Sequence, residues 1–195
     1  MDKKEFKGFF DKEYAPVVRD ESADFLYHFC IENKPKNVLE IGTFIGYSGS
    51  LILSANKDTK LTTIEINEEN YKNAISNFNE YGFKDRVNVI LGDAKEVIQN
   101  LLKENKKYDF IFLDGPKGQY MRYLPILKDL LLSGGYLIAD NVYFHGLVLK
   151  EGHIEHKHRT IVNNLRTFLN MIKDDKDFSS EVLKIGDGIS ISKKF

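Results

Sequence analysis

One cysteine, four prolines and no long apolar run mark this 195-residue sequence. A lone cysteine forms no internal disulfide. Cys30 stands among Phe25, Leu26 and Phe29 in a stretch of helical character, where it reads as a small buried hydrophobe suited to a reducing cytoplasm. No stretch approaches the roughly 20 apolar residues that cross a bilayer, and Met1-Asp2-Lys3-Lys4-Glu5 has no apolar signal core, so a soluble cytoplasmic protein is expected. Charge of one sign is also missing. Lys and Arg number 28 against 29 Asp and Glu, so the total favours neither a nucleic-acid binder nor an enzyme for acidic substrates, and any preference must be local. Pro16, Pro35, Pro116 and Pro125 are scattered, with no repeat, low-complexity tract or linker between them.

What is present is enough for one substantial core: 42% of the residues are hydrophobic, and a single domain over 1–195 is expected. Short apolar runs at 37–41, 61–66, 87–91, 108–114 and 134–139 alternate with segments of helical period at 68–81, 95–103 and 120–132. That alternation predicts an α/β fold, a parallel sheet wrapped by helices. Beyond Asn141 the pattern changes to a polar stretch and a helix over about 157–173. Two short strands at 181–185 and 188–192 then follow, joined through Gly186-Asp187 as a tight hairpin that closes the sheet.

The residues that carry chemistry fall at the carboxyl ends of the predicted strands, where open α/β sheets bind ligands. The first strand runs into Glu40-Ile41-Gly42-Thr43-Phe44-Ile45-Gly46-Tyr47-Ser48, whose glycines let backbone approach a ligand. Glu65 ends the second apolar run, in position to take both hydroxyls of a ribose. The spacing Glu-x-Gly-x-x-x-Gly is not the dinucleotide fingerprint, so a nucleoside without phosphates fits better. Phe44 and Tyr47 are placed either to stack on that ligand or to fill the core.

Asp114, Asp140 and Asn141 offer two carboxylates and an amide carbonyl, hard oxygen donors that suit Mg²⁺ or Ca²⁺ rather than zinc. Mg²⁺ there would gather an acidic hydroxyl and its neighbouring oxygen and lower the hydroxyl's pKa. The competing reading is that acidic strand ends simply cap helices. Lys117, three residues after Asp114, is placed as a general base whose own pKa should fall beside the cation; the alternative is a solvated surface lysine.

The sequence Leu39-Glu40-Ile41-Gly42-Thr43, then Gly46-Tyr47-Ser48, with Phe112-Leu113-Asp114-Gly115 and Lys117, and Asp140-Asn141, resembles the S-adenosylmethionine (SAM)-dependent methyltransferases, specifically the cation-dependent catechol and caffeoyl-CoA O-methyltransferase-like family, over roughly residues 15–195. The resemblance implies a class I, Rossmann-like fold with a mostly parallel seven-stranded sheet, helices on both faces and a C-terminal antiparallel hairpin. It implies Glu40, Gly42, Ser48, Glu65, Asp93, Ala94 and Val18 as cofactor-binding residues. Asp93-Ala94 would sit at the adenine, and Ser48 and Val18 at the methionine end. Ser48 as a helix N-cap and Val18 as packing are the alternatives. Asp114 would serve both metal and sulfonium, with Lys117 as base, and a homodimer is implied.

The stretch 145–166 holds four of the five histidines (His145, His153, His156, His158) with Lys150, Lys157, Arg159 and Arg166. With no cysteine to complete a zinc set, it reads as either a solvated loop or a phosphate-binding patch in which Lys150, Arg159 and Arg166 hold RNA. Asp140 to Val148, and His158-Arg159-Thr160-Ile161-Val162 with Arg166, look like the bacterial branch that methylates 5-hydroxyuridine at the tRNA wobble position. That resemblance implies the tRNA anticodon loop as partner and 5-methoxyuridine as product. A small catechol or other vicinal phenol is the alternative substrate. A non-catalytic cofactor-binding module is the remote one, since no catalytic position is broken.

Overall fold

The computed structural model describes residues 20–195, so Val18 lies outside the described residues. Helix α1 (Asp20–Asn33) leads into strand β1 (Asn37–Ile41), helix α2 (Tyr47–Ala55), strand β2 (Lys60–Glu65), helix α3 (Glu68–Glu80) and strand β3 (Val87–Leu91). Helix α4 (Ala94–Lys103), strand β4 (Tyr108–Leu113), helix α5 (Tyr120–Leu130) and strand β5 (Leu131–Ala139) continue the alternation. Helix α6 (His156–Asp174) and strands β6 (Phe178–Leu183) and β7 (Ile189–Lys194) end the chain. The seven strands run in the order β3-β2-β1-β4-β5-β7-β6, with β7 antiparallel to both β5 and β6. This is the class I methyltransferase sheet.

The chain divides after Ala94 into two compact units. In the first, β1 is buried from Val38 onward, as a parallel strand covered on both faces must be. It pairs in parallel with β2, and β2 with β3. Arg86 closes the carboxyl end of α2: its Nη1 donates to the carbonyls of Leu53 (2.9 Å) and Asn56 (3.1 Å), acceptors a helix end leaves open, and to Thr59 O (3.3 Å) just before β2.

In the second unit Phe110, Phe112, Leu127 and Phe168 form the core. Two boundaries differ from the sequence expectation. Strand β5 begins at Leu131, not Gly134, because Leu131 is buried and pairs with Tyr108. The register then shifts so that Phe110 meets Tyr136, and the intervening glycines take up the irregularity. The closing hairpin is wider than a tight turn. Phe178 is buried and pairs with Lys194, which starts β6 earlier than expected and leaves residues 184–188 as the connection. Lys128 holds this end of the unit. Its Nζ donates to both oxygens of Asp175 (2.8 and 2.7 Å) and pairs with Asp177 (2.7 Å), and the hydrogen bond from Lys128 holds the Asp175 carboxyl below its usual range. Among the described residues no helix is long and apolar enough to cross a membrane.

Cys30 is fully buried in α1, and burial pushes its thiol up to about 12, so little thiolate forms at neutral pH. The folded protein should therefore resist a chromogenic disulfide reagent and react only on unfolding. Labelling at the rate of an unfolded control would contradict this packing.

Candidate active site

In the first unit the glycine loop is braced from beneath by polar side chains. Glu40 is completely buried at the end of β1, where its carboxylate accepts from Ser48 Oγ (2.5 Å) and Thr63 Oγ1 (2.6 Å). Thr63 also shares a 2.6 Å hydrogen bond with Thr43, so loop, strand and helix meet in one network. Ser48 is not a helix cap. The N-cap of α2 is Gly46, in the left-handed conformation and without a side-chain cap. A Cβ at Gly46 would lie 2.9 Å from the Phe78 ring, so this glycine answers a packing demand as well as a conformational one. Phe44 also lies in the left-handed region, at φ 49.

Glu65, at the end of β2, is 7% exposed. Its Oε2 accepts from Phe44 N (2.7 Å), and its Oε1 from Ile66 N (3.0 Å) and Asn67 N (2.8 Å). A carboxylate has about four lone-pair directions, so three N–H groups leave room for a hydroxyl donor. Gly92 N donates to Glu65 O (2.8 Å), which sets the Asp93-Ala94 turn beside it at the head of α4. Glu40, Gly42, Ser48, Glu65, Asp93 and Ala94 thus cluster at the carboxyl ends of β1, β2 and β3. The Ser48 hydroxyl is given to Glu40, whose other oxygen is taken by Thr63.

The second unit gathers the other set. Asp114 follows β4, and Asp140-Asn141 follow β5; Asp140 N donates to Leu113 O (3.1 Å), so the two strand ends are neighbours. Asp140 is 1% exposed, and its Oδ1 accepts from Asn141 N (2.7 Å). Asn141 is left-handed at φ 55. Lys117 Nζ donates to Asp114 Oδ1 in a tight pair. Burial pushes the Lys117 ammonium down, but Tyr120 and Asp114 raise it by more, and the net direction is upward. Asp114 is thus its counter-ion here.

Tyr120 was not foreseen from the sequence. It is fully buried at the start of α5, and its hydroxyl donates toward Leu113 O (3.0 Å) and Asp140 O (3.3 Å), bridging the backbone of both strand ends. The available signal was an aromatic residue three positions after Lys117, one helical turn on. Asn164 of α6 was also unforeseen: its Nδ2 donates to Gly118 O (2.8 Å) and fixes the loop that carries Lys117. Arg166 proves to be a loop anchor rather than an open cation, since Nε donates to Val148 O (3.0 Å) and Nη2 to Lys150 O (2.5 Å). Lys150 and Arg159 are exposed.

Residues 10–195 match the sequence profile of the O-methyltransferase family. The chain belongs to that family. A caffeoyl-CoA O-methyltransferase from Citrus natsudaidai is 32% identical over 167 residues, covering 82% of this chain and 71% of its own. Tapetum-specific methyltransferase 1 from Arabidopsis thaliana is 30% identical over 162 residues, covering 82% and 70%. A Staphylococcus aureus crystal structure of a candidate caffeoyl-CoA O-methyltransferase superposes with a TM-score of 0.88 at 33% identity, covering 98% of this chain and 91% of that one. An O-methyltransferase from Bacillus cereus, solved in complex with SAH, superposes with a TM-score of 0.86 at 26% identity, covering 98% and 90%. The protein is a SAM-dependent O-methyltransferase of the caffeoyl-CoA type.

Glu65 makes a stability prediction for this methyltransferase. Glu65→Ala strands three backbone N–H groups, two of them in the turn that starts α3, and hydrogen bonds to a charged acceptor contribute about 1.5–3 kcal/mol each where buried. Urea denaturation should show a loss of at least about 2 kcal/mol. A loss below about 0.5 kcal/mol would mean that water replaces the carboxylate.

Proposed function

We propose that this methyltransferase is metal-dependent and modifies one of two adjacent oxygens, with 5-hydroxyuridine at the tRNA wobble position as substrate and 5-methoxyuridine as product. The observation that carries the metal dependence is the donor set: two carboxylates and one amide carbonyl on adjacent strand ends, all hard oxygen, with Asp140 buried. Asp114, Asp140 and Asn141 would hold Mg²⁺, whose charge would lower the pKa of a coordinated hydroxyl. The 5-hydroxyl and 4-carbonyl of the base are adjacent, as the two oxygens of a catechol are. An anticodon-loop base is already single-stranded and needs no duplex opening.

In this reading Glu65 accepts from the ribose hydroxyls of SAM, and Asp93-Ala94 border the adenine. Glu40 holds Ser48 and the Gly42 loop in shape, and Ser48 and Val18 line the methionine end. Bound SAM would supply an electrophilic methyl for transfer to the hydroxyl oxygen, its sulfur keeping the bonding pair and leaving as SAH. Lys117 Nζ takes the hydroxyl's proton as the neutral amine, which requires that it first leave its pairing with Asp114 and release its own proton to solvent. Lys150 and Arg159 contact RNA phosphates, while Arg166 keeps their loop in place. The chain acts as one catalytic domain and assembles as a homodimer. The second reading, a small catechol or caffeoyl-type phenol, is favoured by the caffeoyl-CoA O-methyltransferases among the relatives.

Mass spectrometry of nucleosides from 5-hydroxyuridine-containing tRNA, incubated with protein, SAM and Mg²⁺, should reveal 5-methoxyuridine that disappears with EDTA. Methylation of a parallel catechol with tRNA untouched would select the second reading, and turnover in EDTA would refute metal dependence. Asp140→Ala should abolish turnover while the calorimetric Kd for SAM stays within about threefold. Lys117→Ala should lower kcat by about 10²-fold or more, the range of general base catalysis, and an unchanged kcat would remove Lys117 from proton transfer.

A further inference from the structure

The loop after Asn141 is shaped more strictly than a connection needs to be. Of the six non-glycine residues with positive φ among those described, three fall within five positions: Asn141 (φ 55), Phe144 (φ 48) and His145 (φ 57). A bulky side chain in the left-handed region is uncommon and persists only where its surroundings over-determine it. Here they do. The β6–β7 connection lies along the loop, so that Val142 N donates to Gly188 O (3.0 Å), Tyr143 N to Asp187 O (2.9 Å) and His145 N to Asp187 Oδ2 (2.7 Å). Gly188 leaves space for the Tyr143 ring, which a Cβ would approach to 2.5 Å. From α6, Arg166 holds the far end of the loop by the carbonyls of Val148 and Lys150.

This scaffolding presents a cluster of rings. Phe144 lies 5.3 Å from the His145 ring and 5.7 Å from that of His158 in α6, centroid to centroid. His145 is exposed, and Phe144 and His158 are half-exposed, so the cluster is not core. It begins one turn beyond Asn141, whose carbonyl accepts from Phe144 N (3.1 Å). Lys150 and Arg159, on the same two segments, are exposed cations. Rings interleaved with cations are how proteins grip single-stranded nucleic acid, bases stacking on the rings and phosphates meeting the charges.

We propose that Phe144, with His145 and His158 beside it, is a stacking platform for a nucleobase flanking the one that is methylated in single-stranded RNA, and that Asp187 is its positioning residue. The proposal rests on the RNA reading of the function and names the recognition element of that same site.

The test is fluorescence anisotropy of a labelled anticodon stem-loop carrying 5-hydroxyuridine, with turnover of the same RNA measured separately. Stacking of one base corresponds to a factor on the order of 5 to 150 in Kd. Phe144→Leu should weaken RNA binding by that factor, Phe144→Tyr should restore it to within about threefold, and Asp187→Ala should weaken it as Phe144→Leu does. The Kd for SAM should not move in any of them. Loss of stacking should leave the slope of log Kd against log salt unchanged, whereas Arg159→Ala should reduce that slope by about one. An RNA Kd within twofold of wild type for Phe144→Leu overturns the platform even if the RNA is methylated. Binding that depends on Phe144 without methyl transfer refutes the functional reading and leaves the platform standing. Binding of a catechol but not of the RNA overturns both. Should Phe144→Leu fail to fold, His158→Ala decides in its place: weaker RNA binding supports the platform, and unchanged binding overturns it.

Discussion

A carboxylate taken out of water must be met by donors, and in the first unit that demand organises everything around the glycine loop. Glu40 and Glu65 end neighbouring parallel strands. Glu40 is answered by two hydroxyls and Glu65 by three main-chain N–H groups. Each bond ties a different segment to the strand end: α2 through Ser48, β2 through Thr63, the loop through Phe44, and the α3 turn through Ile66 and Asn67. Phe44 can hold its left-handed backbone because Glu65 accepts its N–H, so loop shape and strand-end charge have one cause.

The second unit solves a related problem with a neutral group. Strands β4 and β5 lead into Asp114 and Asp140, two carboxyl side chains on neighbouring strand ends. Tyr120 supplies a buried hydroxyl shared by the carbonyls of Leu113 and Asp140. Lys117, 5.4 Å above its ring, brings the compensating cation to Asp114. Asn164 then holds the Lys117 loop from α6, so three elements control a handful of atoms.

How much of this was legible in the sequence follows from the range of the interactions. Parallel strands appear as short apolar runs, the exposed edge strand β3 included, so β1 to β4 and their ligand-bearing ends could be placed within a residue or so, and the family motifs sit on them. Strand β5 was misjudged at its start because the glycines before Tyr136 look like a turn, although the strand runs through them. Ser48 looked equally like a cap or a ligand contact; its partner Glu40 is eight residues away across the loop, beyond the reach of cap patterns. The same holds for Arg166 and Asn164, whose acceptors lie 16 to 46 residues off. A basic residue in a basic stretch reads as an open charge until the fold reveals the carbonyls it serves.

The left-handed backbone at Phe144 and His145 also limits how this protein can diverge. Proline is excluded by its fixed φ, and isoleucine, valine and threonine suit that conformation poorly, because two heavy atoms on Cβ crowd the backbone. Drift at these two positions is therefore channelled toward asparagine, aspartate, glycine, or further histidine and aromatic residues. A lineage changing its substrate through this loop would walk a narrow set of residues. The opposing connection would accept still less, since Gly188 has a positive φ and no room for a Cβ beside Tyr143.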